Sequence, residues 1–82
     1  MNINLVTAHQ LAFELWCGVK VWTRFSDEQV SGGFILMPMY PYSEGEIVSE
    51  DDARALVETG DCKNAEAAKA ILKELDDIRS SF

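Results

Sequence analysis

The apolar residues in the second half of the chain recur every three or four positions, which is typical of one face of an α-helix. Ser49 begins a capping box with an acid three residues later, and Gly60 can close a helix in the left-handed conformation. These signals predict a helix over 50–59. A second series predicts a helix over 64–80 with Asn64 as its cap. The four-residue connection between them indicates an antiparallel helical hairpin.

Two segments in the middle of the chain have the composition of β-strands. Over 19–25 apolar residues alternate with basic ones, and over 33–40 an apolar segment follows a polar turn. They predict a β-hairpin over residues 19 to 40, with a short third strand at 46–49. Because Phe34 to Met37 is apolar at both parities, that strand is either covered on both faces or has one face reserved for a partner.

The N-terminal segment supports two interpretations. Thr7 can cap a helix that ends at Gly18, with four apolar residues on one face: Ala8, Leu11, Ala12 and Leu15. The odd positions from Ile3 to Val21 are also mostly apolar, which is typical of a strand. We favour the helix because its residues are good helix formers.

Together these elements predict a small single α+β domain over residues 1–82. It consists of an N-terminal helix or strand, an antiparallel β-hairpin or small sheet, and a C-terminal helical hairpin packed on one sheet face. Hydrophobic residues make up 48% of the chain, which is enough for one compact core. The residues expected in that core are Leu56, Ile71, Leu72, Leu75 and Ile78.

The charge is acidic and unevenly placed. The chain has 14 acidic and 7 basic residues, a formal net charge of −7, and residues 43–82 hold eleven of the acids. Binding to a phosphate backbone draws its affinity from clustered Lys and Arg, so we expect no direct binding of nucleic acid. The same field steers the protein toward basic surfaces. The expected partner is a larger basic protein or a nucleic-acid-binding complex.

Few residues are suited to catalysis or metal binding. His9 and Cys17 would lie about two helical turns apart, too far for a direct hydrogen bond. Neither Cys17 nor Cys62 has a second ligand at the short spacing of zinc sites, and the ligand pattern of a calcium loop is absent from the sequence. We therefore expect a protein that is not an enzyme and binds no metal and no cofactor.

The sequence also lacks a hydrophobic segment of membrane-spanning length. Its longest apolar run, Phe34 to Tyr40, has seven residues and contains Pro38, whereas a span needs roughly 20. The chain does not start with the pattern of a signal peptide. We expect a cytoplasmic protein without membrane contact.

Two groups of residues are candidates for binding a partner: the acidic residues Glu44, Glu46, Asp51 and Asp52, and the aromatic residues Trp22, Tyr40 and Tyr42. Helix capping and the helix dipole explain acids at 50–52 without a ligand, so that alternative stays open. Trp22 shares its strand parity with Lys20 and Arg24. We therefore predict that Trp22 is an exposed anchor on the polar face.

One segment resembles a known DNA-binding motif. Val6-Thr-Ala-His-Gln-Leu-Ala12, followed by Gly18-Val19 and Thr23-Arg-Phe25, resembles the start of an excisionase-type or MerR-type helix-turn-helix, with Phe34 to Tyr40 as a wing. The resemblance implies a small DNA-binding regulator. Insertion into a DNA groove needs basic side chains, and the recognition segment has the acids Asp27 and Glu28 instead. DNA binding is therefore an alternative function.

The favoured hypothesis is a non-enzymatic acidic protein-binding module, an inhibitor or regulator that occludes a basic surface of a larger protein. Small acidic inhibitors from phage and other mobile elements, including nucleic-acid mimics, are similar in size and charge. That similarity is one of physical type and not of motif. A homodimeric accessory subunit is a further alternative.

Overall fold

The structure is a computed structural model and describes residues 4–27 and 33–81. In this part of the chain the order of elements is α1 (Leu5–Trp16), β1 (Val21–Asp27), β2 (Gly33–Met39), β3 (Glu46–Ile47), α2 (Glu50–Thr59) and α3 (Ala65–Ser81). The strands form an antiparallel sheet in the order β2-β1-β3. The predicted α+β class is confirmed, including the third strand, which is two residues shorter than expected.

The N-terminal segment is a helix, as favoured, but it begins earlier than predicted. Asn4 is the cap, and its Oδ1 accepts a hydrogen bond of 2.8 Å from the backbone N–H of Thr7. Asn is as good an N-cap as Thr, so the expectation that Thr7 caps the helix is wrong. One stripe of α1 is buried against α3 and the sheet, at Ala8, Leu11 and Ala12.

The hairpin pairs β1 with β2, and Arg24 lies opposite Leu36. The carbonyl of Glu14 accepts hydrogen bonds from the backbone N–H groups of Val19 (2.9 Å) and Lys20 (3.2 Å). These bonds hold Val19 and Lys20 in the turn after α1, so β1 begins two residues later than predicted. The polar turn predicted between the strands, with Gly32, lies outside the described residues.

Trp22 is buried, with 3% of its surface exposed, so its predicted exposure is wrong. It shares a sheet face with Arg24, as the parity indicated, but α-helices cover that face and its residues join the main core with Leu36. The guanidinium group of Arg24 remains on this face by stacking over the ring of Phe34, 3.7 Å from its centroid. The presence of Arg24 therefore did not indicate that this face of the sheet is exposed to solvent.

The opposite face of β1 is covered by the connection between β2 and β3. Thr23 on that face is fully buried. A Cβ atom on Gly45 would collide with the Thr23 methyl group and lie 2.6 Å from the Phe25 ring, so only glycine allows this approach. In β2, Leu36 is buried while its neighbours Ile35 and Met37 on the other face are half-buried.

The C-terminal helices match the prediction closely. α2 begins after Ser49, whose Oγ accepts a bond of 3.1 Å from the backbone N–H of Asp52, and ends at Gly60 with a φ of 75°. α3 begins and ends one residue later than predicted. Of the expected core residues, Leu56 is half-buried against the core and four are buried: Ile71, Leu72, Leu75 and Ile78.

α3 is the central helix and lies between the other two. Its Glu74 is 3.9 Å from Nδ1 of His9 in α1, whereas its Asp76 is 2.8 Å from Arg54 in α2. Residues two apart in a helix point about 200° apart, so α1 and α2 pack on opposite sides of α3.

Asn64 lies directly before α3, as predicted, and its carbonyl accepts a bond of 3.0 Å from the backbone N–H of Ala68, but its side chain bonds the sheet. Its side-chain Oδ1 accepts a bond of 2.9 Å from the backbone N–H of Leu36, and its Nδ2 donates one of 2.8 Å to the carbonyl of Leu36. The backbone N–H of Lys63 donates to the carbonyl of Phe34 at 2.7 Å. The loop between α2 and α3 thus pairs with the outer edge of β2 like a short strand, and the Asn64 side chain serves the sheet instead of capping α3.

We expect Asn64→Ala to destabilise the fold by about 2–4 kcal/mol, because it leaves a buried N–H and a buried C=O of Leu36 without partners. Urea denaturation followed by far-UV circular dichroism measures this. Asn4→Ala is the matched control, since it removes one exposed capping bond worth about 1 kcal/mol. Equal losses in the two variants would contradict the role assigned to Asn64.

Candidate protein-binding surface

A cleft of about 330 Å³ lies between the sheet and α2. Three carboxylates from three different parts of the chain line it: Glu46 of β3, Asp52 of α2, and Asp61 of the loop that follows α2. The remaining lining residues are Arg24, Val48, Ala55, Leu56 and Thr59. We call this feature the acidic cleft. Its lining combines apolar side chains with three carboxylates.

The carboxylates of the acidic cleft are not paired with bases of the described chain, in contrast to Glu50 and Asp76. Within the described residues, Glu46, Asp52 and Asp61 make no ion pair. Asp61 accepts only a hydrogen bond of 2.9 Å from the Thr59 hydroxyl. Unpaired carboxylates in a partly apolar cleft attract a cationic group more strongly than carboxylates that are already neutralised.

Arg24 is the only base among the residues that line the cleft, against three carboxylates, and it forms no ion pair with them. Its guanidinium group stacks on Phe34, and its Nε is buried without a hydrogen-bond partner among the described residues. Glu46 is its cross-strand neighbour in the sheet, yet the two side chains form no ion pair. The cleft therefore keeps its negative charge.

Glu50 is bonded within the fold. Its carboxylate accepts bonds of 2.7 and 2.8 Å from Arg79 and one of 3.3 Å from Arg54. The hydrogen bonds from Arg79 are the main reason that the pKa of Glu50 is below its ordinary value, and bonding to Asp76 and Glu50 raises the pKa of Arg54. The acids at 50–52 thus divide into one structural residue, Glu50, and two exposed ones, Asp51 and Asp52.

The structure brings together only part of the predicted acidic set. Glu46 and Asp52 share the cleft, whereas Glu44 and Asp51 are exposed but do not line it. Asp61 was missed by sequence reasoning. The available signal was its place directly after the helix-closing Gly60, because that turn directs the chain back across the end of α2.

The two predicted tyrosines form a separate group. Tyr40 and Tyr42 stack with their ring centroids 5.5 Å apart and an interplanar angle of 6°, and 85% of Tyr42 is exposed. The Lys20 ammonium group lies 5.2 Å from the Tyr40 centroid and 3.4 Å from the carboxylate of Glu14. Neither tyrosine lines the acidic cleft. Burial removes Trp22 from the exposed candidates.

The residues considered for catalysis or metal binding do not form a site among the described residues. Cys17 is exposed and Cys62 is buried, and burial raises the pKa of the Cys62 thiol. Across residues 4–27 and 33–81, no three His, Cys, Asp or Glu side chains are grouped so that they could hold a metal ion. None of the described helices is both long and apolar enough to cross a membrane.

The helix-turn-helix expectation is wrong for residues 21–27. The segment that would supply the recognition helix is the central strand β1. The alternation of apolar and polar residues in this segment predicted the strand correctly, whereas the resemblance to a helix-turn-helix did not.

Comparison with protein-family models, with curated proteins and with solved structures finds no match to this chain.

We expect Glu50→Gln to lower the free energy of unfolding at pH 7 by about 0.5–1 kcal/mol, the usual range for a partly exposed ion-pair network. Because the pKa of Glu50 is lowered by folding, its contribution is complete above the ordinary value and is lost as the pH falls through the lowered one. The difference between wild type and variant should therefore vanish at low pH. Urea titrations from pH 7 to pH 2.5 measure it.

The control for this measurement is Glu58→Gln, an exposed acid on the same helix that has no ion pair among the described residues. Its effect at pH 7 should be small, because no ion pair is lost. A Glu50 effect that does not decrease as the pH falls would show that the loss comes from altered packing and not from the ion pairs.

Proposed function

We propose that this protein is a non-enzymatic binding module that docks its acidic cleft onto a basic, nucleic-acid-binding surface of a larger protein and occludes it. The convergence of three carboxylates on one cleft is the observation that supports this function. Glu46, Asp52 and Asp61 come from three parts of the chain, converge on one cleft and remain unpaired among the described residues, whereas Glu50 and Asp76 are paired with Arg54 and Arg79.

The chemistry of the acidic cleft favours a protruding Lys or Arg side chain as its occupant. The carboxylates supply acceptors for an ammonium or guanidinium group, and Val48 and Leu56 supply apolar contact for the methylene stem of such a side chain. Asp51 and Glu44 lie outside the cleft and are exposed. They extend the negative field and accelerate the encounter with a basic partner.

A nucleic-acid-binding protein is the partner class that best fits this surface. Such proteins concentrate Lys and Arg on one face because phosphate contacts supply much of their affinity. An acidic module of formal charge −7 competes with the phosphate backbone for that face. The same charge is unfavourable for direct binding to nucleic acid, so the proposed effect on nucleic acid is indirect.

The test uses Glu46→Gln/Asp52→Asn, which changes the formal charge from −7 to −5. We expect it to weaken partner binding by about tenfold or more, because it removes charge pairs at the contact, and to lower folding stability by no more than about 1 kcal/mol, since Asp52 lies in the first turn of α2. The matched control is Glu66→Gln/Asp77→Asn, which removes the same charge from two exposed residues of α3 outside the acidic cleft. Both variants and wild type are used as bait in cell lysate, with washes at 0.1 M and 1 M NaCl.

The expected result is a basic protein retained by wild type and by the control at low salt, released at high salt and lost with the cleft variant. The captured protein, once purified, should lose nucleic-acid binding when the module is added. Equal capture by both double variants, or undiminished nucleic-acid binding by the captured protein, would rule out occlusion through this cleft.

A further inference from the structure

The sheet has two edges, and among the described residues the fold covers only one of them. The outer edge of β2 is bonded by the loop between α2 and α3, through the Lys63 backbone and the Asn64 side chain. The other edge is β3, the two-residue strand Glu46–Ile47. Both of its residues are exposed, Ile47 to 54%. A further strand can therefore be added at β3.

The register of β3 shows which of its backbone groups point outward. The backbone N–H of Val48 donates to the carbonyl of Trp22 at 3.0 Å, so these two residues form a hydrogen-bonded pair of the antiparallel ladder. Bonded and non-bonded pairs alternate in such a ladder, which makes Ile47 and Thr23 a non-bonded pair. The N–H and C=O of Ile47 thus point away from β1, and no hydrogen bond within the described residues reaches them.

The side chains of this edge alternate between the two faces of the sheet. Glu46 lies on the same face as its cross-strand neighbour Arg24, and both line the acidic cleft. Ile47 lies on the opposite face with Thr23. A strand added to β3 continues this alternation. Its residue opposite Ile47 points to the face of Ile47, and the residues on either side of it point to the face that holds the cleft.

The charge of the edge selects the kind of strand that fits. Glu46 makes no ion pair among the described residues. Side chains directly opposite each other in neighbouring strands have Cβ atoms about 4.5–5.5 Å apart, which is within reach of a Lys or Arg side chain. A basic strand matches this carboxylate, whereas a second β3 would come from a molecule of charge −7 and be repelled.

The geometry points to a partner that adds an extended basic segment to β3 as an antiparallel fourth strand, in which basic residues flank an apolar one. The apolar residue exchanges two backbone hydrogen bonds with Ile47 and packs against its side chain. The flanking Lys or Arg side chains reach Glu46 and the acidic cleft. Main-chain bonds supply affinity in this mode of recognition, and alternate side chains supply specificity. The inference rests on the function proposed above and specifies the form in which the basic partner is bound.

The edge is short, which limits the strength of the contact. α2 begins at Glu50, shortly after β3 ends, and Ile47 is the one residue of β3 whose backbone groups face outward. Two backbone bonds and a few charge pairs should give an isolated segment a dissociation constant of roughly 0.1–1 mM. Tighter binding then requires the remaining contacts of the folded partner.

The probe is the peptide acetyl-Gly-Lys-Val-Lys-Gly-amide, titrated to about 5 mM into the ¹⁵N-labelled full chain. We expect the amide resonance of Ile47 to shift and its hydrogen exchange to slow, because its N–H gains an acceptor. N-methylation of the peptide valine removes the donor to the Ile47 carbonyl and should weaken binding about fivefold or more. N-methylation of the first lysine is the matched control, since that N–H points away from β3 and its loss should change binding little.

A variant of the protein tests the same bond from the other side. Ile47→Pro removes the outward N–H and no bond to β1, and Pro is tolerated at an edge in this orientation. It should weaken binding of the unmethylated peptide about fivefold or more. Ile47→Ala keeps the N–H and removes most of the side chain, so it should weaken binding less. Far-UV circular dichroism checks that both variants are folded.

A wild-type protein that does not bind the peptide at 5 mM would overturn the inference, as would equal binding of the two methylated peptides. If Ile47→Pro captures from lysate the basic protein that Glu46→Gln/Asp52→Asn loses, strand addition is wrong and occlusion through the cleft stands. If the peptide binds at Ile47 but wild type captures no basic protein, the proposed function is wrong and the edge still accepts a basic strand. The two proposals therefore fail separately.

Discussion

The paired hydrogen bonds between the Asn64 amide and the backbone of Leu36 connect the two halves of this fold. Without them the outer edge of β2 would present unpaired backbone groups on a strand that is apolar on both faces, a template for aggregation. The same bonds fix the loop after α2 against the sheet. That loop carries Asp61, so the position of one cleft carboxylate follows from a contact that belongs to the core.

A second constraint separates the charges of the chain by role. Arg54 and Arg79 bond Glu50 and Asp76, which fastens the start of α2 to the end of α3. The described helical hairpin thus uses two bases to hold itself together. Few bases then remain near the sheet to neutralise Glu46 and its neighbours, and Arg24 is held on an aromatic ring. The acidic cleft has an excess of negative charge because Arg54 and Arg79 form ion pairs between α2 and α3 and not with the cleft carboxylates.

Elements specified by neighbouring residues could be predicted, and contacts between distant residues could not. The bounds of α2 came from Ser49 and Gly60, which lie at its ends. Trp22 was misplaced because the parity of a strand separates two faces but does not say which one the helices cover. Asn64 looked like a helix cap because its partner, Leu36, is 28 residues away in sequence.

The candidate site shows the same division. Glu46 and Asp52 could be chosen as acids, but their convergence with Asp61 depends on the packing of α2 against the sheet. Two surfaces of opposite character are present: an acidic cleft between α2 and the sheet, and exposed apolar residues on α1. Because they do not overlap, use of one leaves the other accessible.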